Sequence, residues 1–299
     1  MIAAVATKLR RAGEALGHQI FYVTLRLTGQ RGAYALLVPV VATYTLLSRH
    51  IHRATAPYVR RRFPAYGRLR RWWATFRIVH SFGQVLVDRA WLGLDEGAQL
   101  GGTIEGYERL KALIARGDGL VLSIAHVGNW QAALGHLPDL GVPVHALMDY
   151  RGEQVAKHFF DLRDAPFPLA IIHTDGFLGG AVEASAVLRR GEILTVMGDR
   201  FVKGRSATAA LLGAPVRLPT AAFTLAASTG APVAVLLSAK TARRRYVLRV
   251  WDVIETRGVA RAAREAAYAA GVGRFARSLE EYLQKYPHQW YNFFDFWRQ

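Results

Sequence analysis

Apolar positions along this chain fall into two alternating periods from about residue 105 onward. The stretch "GYERLKALIARG" (106–117) spaces its apolar residues as a helix does, and "GLVLSIAH" (119–126) follows as a short unbroken run with strand character. The alternation continues. "PVHALMD" (143–149), "LAIIHTD" (169–175) and "EILTVMGD" (192–199) predict buried strands, and "AVEASAVLRRG" (181–191) predicts a helix closed by Gly191. "TAAFTLAASTG" (220–230) predicts a helix that Thr220 caps and Gly230 ends. "PVAVLLSA" and "RYVLRVWDVIE" then predict two further strands, and residues 261–286 a long amphipathic helix bent near Gly271 and Gly273. Strands alternating with helices imply an α/β fold, a largely buried central β-sheet flanked by helices.

Upstream the pattern is different. "GAYALLVPVVATYTLL" (32–47) carries no charge, yet it is shorter than the roughly 20 residues a spanning helix needs, and Pro39 is expected to kink it. It has no A-x-A-like cleavage site after it. The reading is a helix lying in or dipping into the cytoplasmic leaflet, with a buried core helix as the plainer alternative. A composition shift at "DRAWLGLDEGAQLGG" (88–102) suggests two parts: a basic, membrane-associating helical region over 1–95 and an α/β domain over 96–299.

Charge sharpens that division. The chain has 299 residues and a formal net charge of +17, and between Glu14 and Asp88 there is no acidic residue. Arg60, Arg61, Arg62, Arg70 and Arg71 cluster there beside Trp72 and Trp73, a composition suited to an anionic membrane surface. Nucleic acid would satisfy the same field, but the neighbouring uncharged run argues against it. An acidic carrier protein would also fit. The absence of cysteine removes disulfides, thiol nucleophiles and cysteine-ligated zinc, and suits a cytoplasmic setting. His126 and His136 have no partners at ligand spacing, so no metal is expected, and no glycine-rich phosphate motif calls for a nucleotide cofactor.

In an α/β sheet, chemistry gathers at the carboxyl ends of strands. His126, Asp149, Asp175 and Asp199 all fall at predicted strand ends. An imidazole there can take a proton from a hydroxyl near neutral pH, and Gly128 and Asn129 would open a helix whose backbone N–H groups could hold an oxyanion or phosphate. A histidine satisfied within the core is the alternative. Arg200 follows Asp199 directly, where a guanidinium could hold a phosphate or simply pair with the aspartate.

The stretch "HVGNWQ" (126–131) resembles the H-x4-D/E motif of the lysophospholipid acyltransferase superfamily, in the form common among bacterial lipid A acyltransferase relatives. Further blocks resemble a bacterial subgroup of that superfamily: "ILTVMGDR" (193–200), "LLGAPVRLPTAAFTLAASTGAPV" (211–233) and "YPHQWYNFFDFW" (286–297), with "YTLLSRHIHRATAPYVRRRF" and "SFGQVLVDRA" upstream. The resemblance implies a glycerolipid acyltransferase-like fold. It implies acyl transfer from an acyl carrier protein or coenzyme A thioester to a hydroxyl or amine of a lipid acceptor, at the cytoplasmic face of the inner membrane. His126 would be the base, and Arg217 would contact donor or acceptor.

At the sixth motif position this chain has Gln131 where the pattern has Glu or Asp. Glutamine can orient an imidazole but cannot stabilise an imidazolium by charge. Three expectations follow: a slow enzyme, a site in which Asp149, Asp175 or Asp199 supplies the charge, or a relative that binds lipid without reacting. The terminal "WYNFFDFW" would line an acyl channel, clamp the chain near His126, or serve as core.

Overall fold

The computed structural model describes residues 2–94, 100–130, 140–148, 169–175, 177–201 and 204–298, with side chains given from Gln19 onward. Gln131, His136, Asp149 and Lys203 lie outside the described residues. The chain opens with three helices, α1 (Ile2–Leu47), α2 (Arg49–Arg62) and α3 (Arg68–Leu94). Strand β1 (Gly101–Glu105) and helix α4 (Tyr107–Ile114) lead into β2 (Leu120–Ile124), β3 (Val144–Met148) and β4 (Leu169–His173). Helix α5 (Ala181–Arg189) precedes β5 (Ile193–Met197), and a hairpin of β6 (Ser206–Leu211) and β7 (Ala214–Pro219) follows. Helix α6 (Ala221–Thr229), β8 (Val233–Ala242), β9 (Arg245–Ile254) and α7 (Arg264–Lys285) complete the order.

Seven strands form one sheet in the order β1-β9-β8-β2-β5-β3-β4. The five from β8 to β4 are mutually parallel; β9 runs antiparallel to β8, and β1 parallel to β9. The mixed α/β fold is therefore as the periodicity predicts. β2 is buried at every position, as befits a central strand covered on both faces. One face packs under α5, α6 and α7 through Leu188, Phe223, Phe275 and Leu279, and the other under α4 through Leu110 and Leu113.

Three local expectations need correction. Helix α7 runs unbroken through Gly271 and Gly273. A Cβ at Gly271 would lie 2.5 Å from the Phe223 ring, so this glycine serves the close approach of α6 to α7 and not a bend. In α1 the departure from helical φ/ψ falls at Gly29 (φ 64°), while Pro39 sits within the helix. Thr220 occupies the position before α6 but makes no side-chain cap bond.

The helices α1 and α3 pack antiparallel, with Trp72 Nε1 donating to the Thr45 carbonyl at one end and Gln30 Nε2 to the Asp88 carboxylate, 2.8 Å, at the other. Asp88 is fully buried. It also receives the Tyr34 and Tyr246 hydroxyls and the Lys240 ammonium, which ties both helices to β8 and β9. No single described helix is long and apolar enough to cross a membrane. The pair Gln19–Leu47 and Arg49–Arg62, bent by 90°, meets that test jointly by length and composition.

Candidate functional site

Register across two neighbouring strands builds the site. β2 and β5 are parallel, with Ile124 opposite Met197, and the Gly198 N–H continues the ladder to the Ile124 carbonyl at 2.8 Å. Two residues beyond each pairing the chain reaches His126 and Asp199, which therefore emerge side by side at the carboxyl ends of the sheet. Gly198, between Met197 and Asp199, has no room for a side chain: a Cβ there would sit 2.6 Å from Ser123 Oγ and 2.8 Å from the Phe275 ring.

His126 Nδ1 lies 2.8 Å from Asp199 Oδ1, and the His126 backbone N–H donates to Asp199 Oδ2 at 3.0 Å. The carboxylate thus holds the histidine by ring and backbone together. Asp199 has no exposed surface, and it also receives Trp290 Nε1 at 3.0 Å and Asn292 Nδ2 at 3.5 Å. Burial alone would push this carboxyl up; the field of His126 and hydrogen bonds from its ring, from Trp290 and from the His126 backbone together outweigh that and hold it below its ordinary value. With an ionised partner on Nδ1, the Nδ1–H tautomer is favoured and Nε2 carries the lone pair.

The C-terminal segment encloses this pair. Val127 and Trp290 form an antiparallel bridge, the Tyr291 N–H donates to the His126 carbonyl at 2.8 Å, and the Gly128 N–H donates to the Gln289 carbonyl at 3.1 Å. Trp290 is itself packed edge-on against Tyr58 (5.2 Å) and Phe296 (4.9 Å), so the aromatic cluster is both core and clamp. Trp290 and Asn292 are site neighbours that residue-by-residue reasoning did not single out, although the block containing them did stand out as a whole.

The remaining sequence-derived residues scatter around this centre. Gly128 (φ 52°) passes so close to β8 that a Cβ would meet the Ser238 carbonyl at 2.2 Å. Its N–H donates to the Gln289 carbonyl, and residues 131–139, over which the expected helix would run, lie outside the described residues. Asn129 is fully buried and accepts Arg89 Nε at 3.2 Å. Arg200 lies over the Phe294 ring at 5.2 Å, and Arg217, on β7, over Phe201 at 4.6 Å while bonding Ser206 Oγ. Asp175 follows β4, the sheet edge three places from β2 and so roughly 14 Å across, too far to orient His126. Among the described residues no cluster of metal-ligating side chains occurs.

Of the basic and aromatic residues read as membrane-facing, Arg62 Nε and Nη2 bond the Leu283 and Gln284 carbonyls, and Arg61 lies over Trp297 at 4.3 Å. These two fasten α2 to the C-terminal segment. Arg71 bonds the Pro64 carbonyl, Arg60 and Arg70 are exposed, and Trp73, 53% exposed, stacks on Phe76 beside Trp72.

One stretch of 135 residues is 27% identical to the phosphatidylinositol mannoside acyltransferase of Mycobacterium tuberculosis (strain ATCC 25618 / H37Rv), covering 44% of this chain and 42% of that protein. The chain thus aligns with less than half the length of this relative. The bacterial lipid A biosynthesis acyltransferase family matches residues 77–299, which contain His126, Asp199, Trp290 and the whole sheet. With about three quarters of its length covered by that match, the chain belongs to the bacterial lipid A biosynthesis acyltransferase family.

Proposed function

We propose that this protein transfers a fatty acyl group from an acyl thioester, on acyl carrier protein or coenzyme A, to a hydroxyl or amine of a lipid acceptor at the inner face of the membrane. The observation that carries the reading is the contact between His126 Nδ1 and the buried Asp199 carboxylate at the carboxyl ends of two adjacent parallel strands. His126 Nε2 takes the proton from the acceptor as its heteroatom attacks the thioester carbonyl carbon. The tetrahedral intermediate collapses with rupture of the C–S bond, and the imidazolium returns the proton to the leaving thiolate. Asp199 keeps the proton-bearing nitrogen turned inward and stabilises the imidazolium between those two transfers.

This assignment removes the difficulty posed by Gln131. The charge that the sixth motif position lacks is supplied by a residue 73 positions downstream of the base. Arg200 and Arg217, near the strand end that carries Asp199, are assigned to the phosphate of donor or acceptor. The exposed apolar residues Leu46, Leu47, Leu69 and Trp73, with Arg60 and Arg70 nearby in the chain, support a lipid-facing role for the N-terminal helices.

Thioester turnover by the purified chain tests the reading, with both donor types and a panel of lipid acceptors. Acceptor-dependent turnover is expected, and His126→Ala is expected to lower it by about 10²–10⁴-fold. Wild-type turnover that survives His126→Ala unchanged would sink the mechanism. Binding of lipid with no turnover in any combination would favour the lipid-binding relative.

A further inference from the structure

A cavity lies against the C-terminal segment. It encloses about 480 Å³ between α1, α3, the β8–β9 turn and residues 285–289, and neither His126 nor Asp199 lines it. Its size is that of a small-molecule site. Arg77, Arg243 and Lys285 are exposed at its walls, with His80 and His288 between them, and no carboxylate is among the described residues that line it. The fourth cation, Lys240, is committed to Asp88. Three positive charges therefore face one space without an acid among its walls. The effect on His288 agrees: burial first, then Arg77 and Arg62, push its imidazole down to about 4.

The two long helices indicate what kind of anion fits. On α3, Leu69, Trp73, Arg77, His80 and Gln84 fall within about 80° of arc at the 100° per residue of a helix, so they form one strip. Leu69 is 79% and Trp73 53% exposed, and four residues further on the strip becomes the cavity wall. The antiparallel α1 repeats the gradient. Tyr34 lines the cavity, whereas Val38, one turn nearer the Trp72 end and about 40° round the helix, is an exposed apolar residue. A ligand apolar at one end and anionic at the other matches this surface.

We infer that the cavity is a phosphate-headgroup site, in which Arg77, Arg243 and Lys285 hold the phosphate of a lipid whose chains lie toward Leu69 and Trp73. The site rests on the reading of the α1–α3 face as the lipid-facing side, but not on the chemistry of His126. Because residues 286–289 line it and residues 290–292 hold Asp199, an occupied cavity also braces the segment that supports the catalytic pair.

Calorimetric titration of the full chain with sn-glycerol 3-phosphate, inorganic phosphate and coenzyme A tests this, with wild type, His126→Ala, Arg77→Gln/Arg243→Gln, Lys285→Gln and a distant control, Arg249→Gln. Saturable binding of glycerol phosphate is expected, equal in wild type, His126→Ala and the control. It should weaken at least tenfold in the double variant and severalfold in Lys285→Gln, with thermal melts unchanged. Equal binding by the double variant and Lys285→Gln would overturn the site. So would inorganic phosphate binding as tightly as glycerol phosphate, which marks a free-phosphate site. Coenzyme A binding in place of glycerol phosphate would make the cavity a donor site and overturn the lipid assignment. Turnover lost in His126→Ala with glycerol phosphate binding intact separates this proposal from the acyl-transfer reading.

Discussion

Two aspartates among the described residues are fully buried, and their partners differ in kind. Asp88 is surrounded by the Lys240 ammonium, two tyrosine hydroxyls and the Gln30 amide; Asp199 by the His126 ring and backbone, the Trp290 indole and the Asn292 amide. Both have their oxygens satisfied, as a buried carboxylate must. The difference is the counter-group. A lysine brings its proton to the pair from the outset, and a carboxylate paired with it becomes a fastener between chain segments. An imidazole is a cation only when it has taken a proton, so the carboxylate paired with it favours that proton's arrival. Burial outweighs the pull of Asp88 on Lys240 and leaves the lysine below its ordinary value, so the fastener specifies the docking of α1 and α3 more than it stabilises the fold.

Substitution should break the two sites differently. Asp199→Asn is expected to lower turnover by about 10²–10⁴-fold, in the range of a lost acid–base group, while the sheet still forms; steady-state kinetics with a thermal melt checks both halves. Asp88→Ala leaves Lys240 buried without its counter-charge and should cost about 3–5 kcal/mol of stability. Urea unfolding reads this, and Asp88→Leu with Lys240→Met should recover much of the loss. Gly271→Ala, remote from both carboxylates, forces a Cβ against Phe223 and should cost about 1–3 kcal/mol through overpacking.

Folding holds the Asp199 carboxyl below its ordinary 3.8, so its contribution is complete above the unfolded value and lost as pH falls through the lower folded one. The stability deficit of Asp199→Asn should therefore shrink below about pH 4 and be constant above about pH 5. The smallest effect is expected at Gln131→Glu. With Asp199 already beside the ring, turnover should change by less than about threefold, against the marked rise expected if position 131 alone oriented the base.

Much of the fold was legible because central strands are apolar throughout, and β2, β3, β4, β5, β8 and β9 fall where the runs do. β1 was not legible. "GGTIE" is an edge strand exposed at most positions, so it carries no apolar signature. The β6–β7 hairpin was missed because "SATAAL" alternates small residues with little hydrophobic contrast. In the site, the sequence placed His126 and Asp199 at strand ends but left Asp149 and Asp175 as equal rivals. Choosing among them needs strand order, which is not chain order: β5 follows β4 in sequence yet lies next to β2 in the sheet. The H-x4 spacing directs attention to position 131 because it is local, whereas the partner found here depends on a non-local ladder.

The C-terminal clamp has a consequence for how the protein is made. During translation His126 leaves the ribosome before Asp199, and Trp290 and Asn292 emerge after both, behind the described strands of the sheet. A nascent or clipped chain ending before residue 286 contains base and carboxylate but lacks two of the donors that quiet the buried charge and the strand bridge that seats the histidine. On the proposed mechanism, a chain cut before residue 286 should therefore be a poor catalyst as well as a poorly folded one.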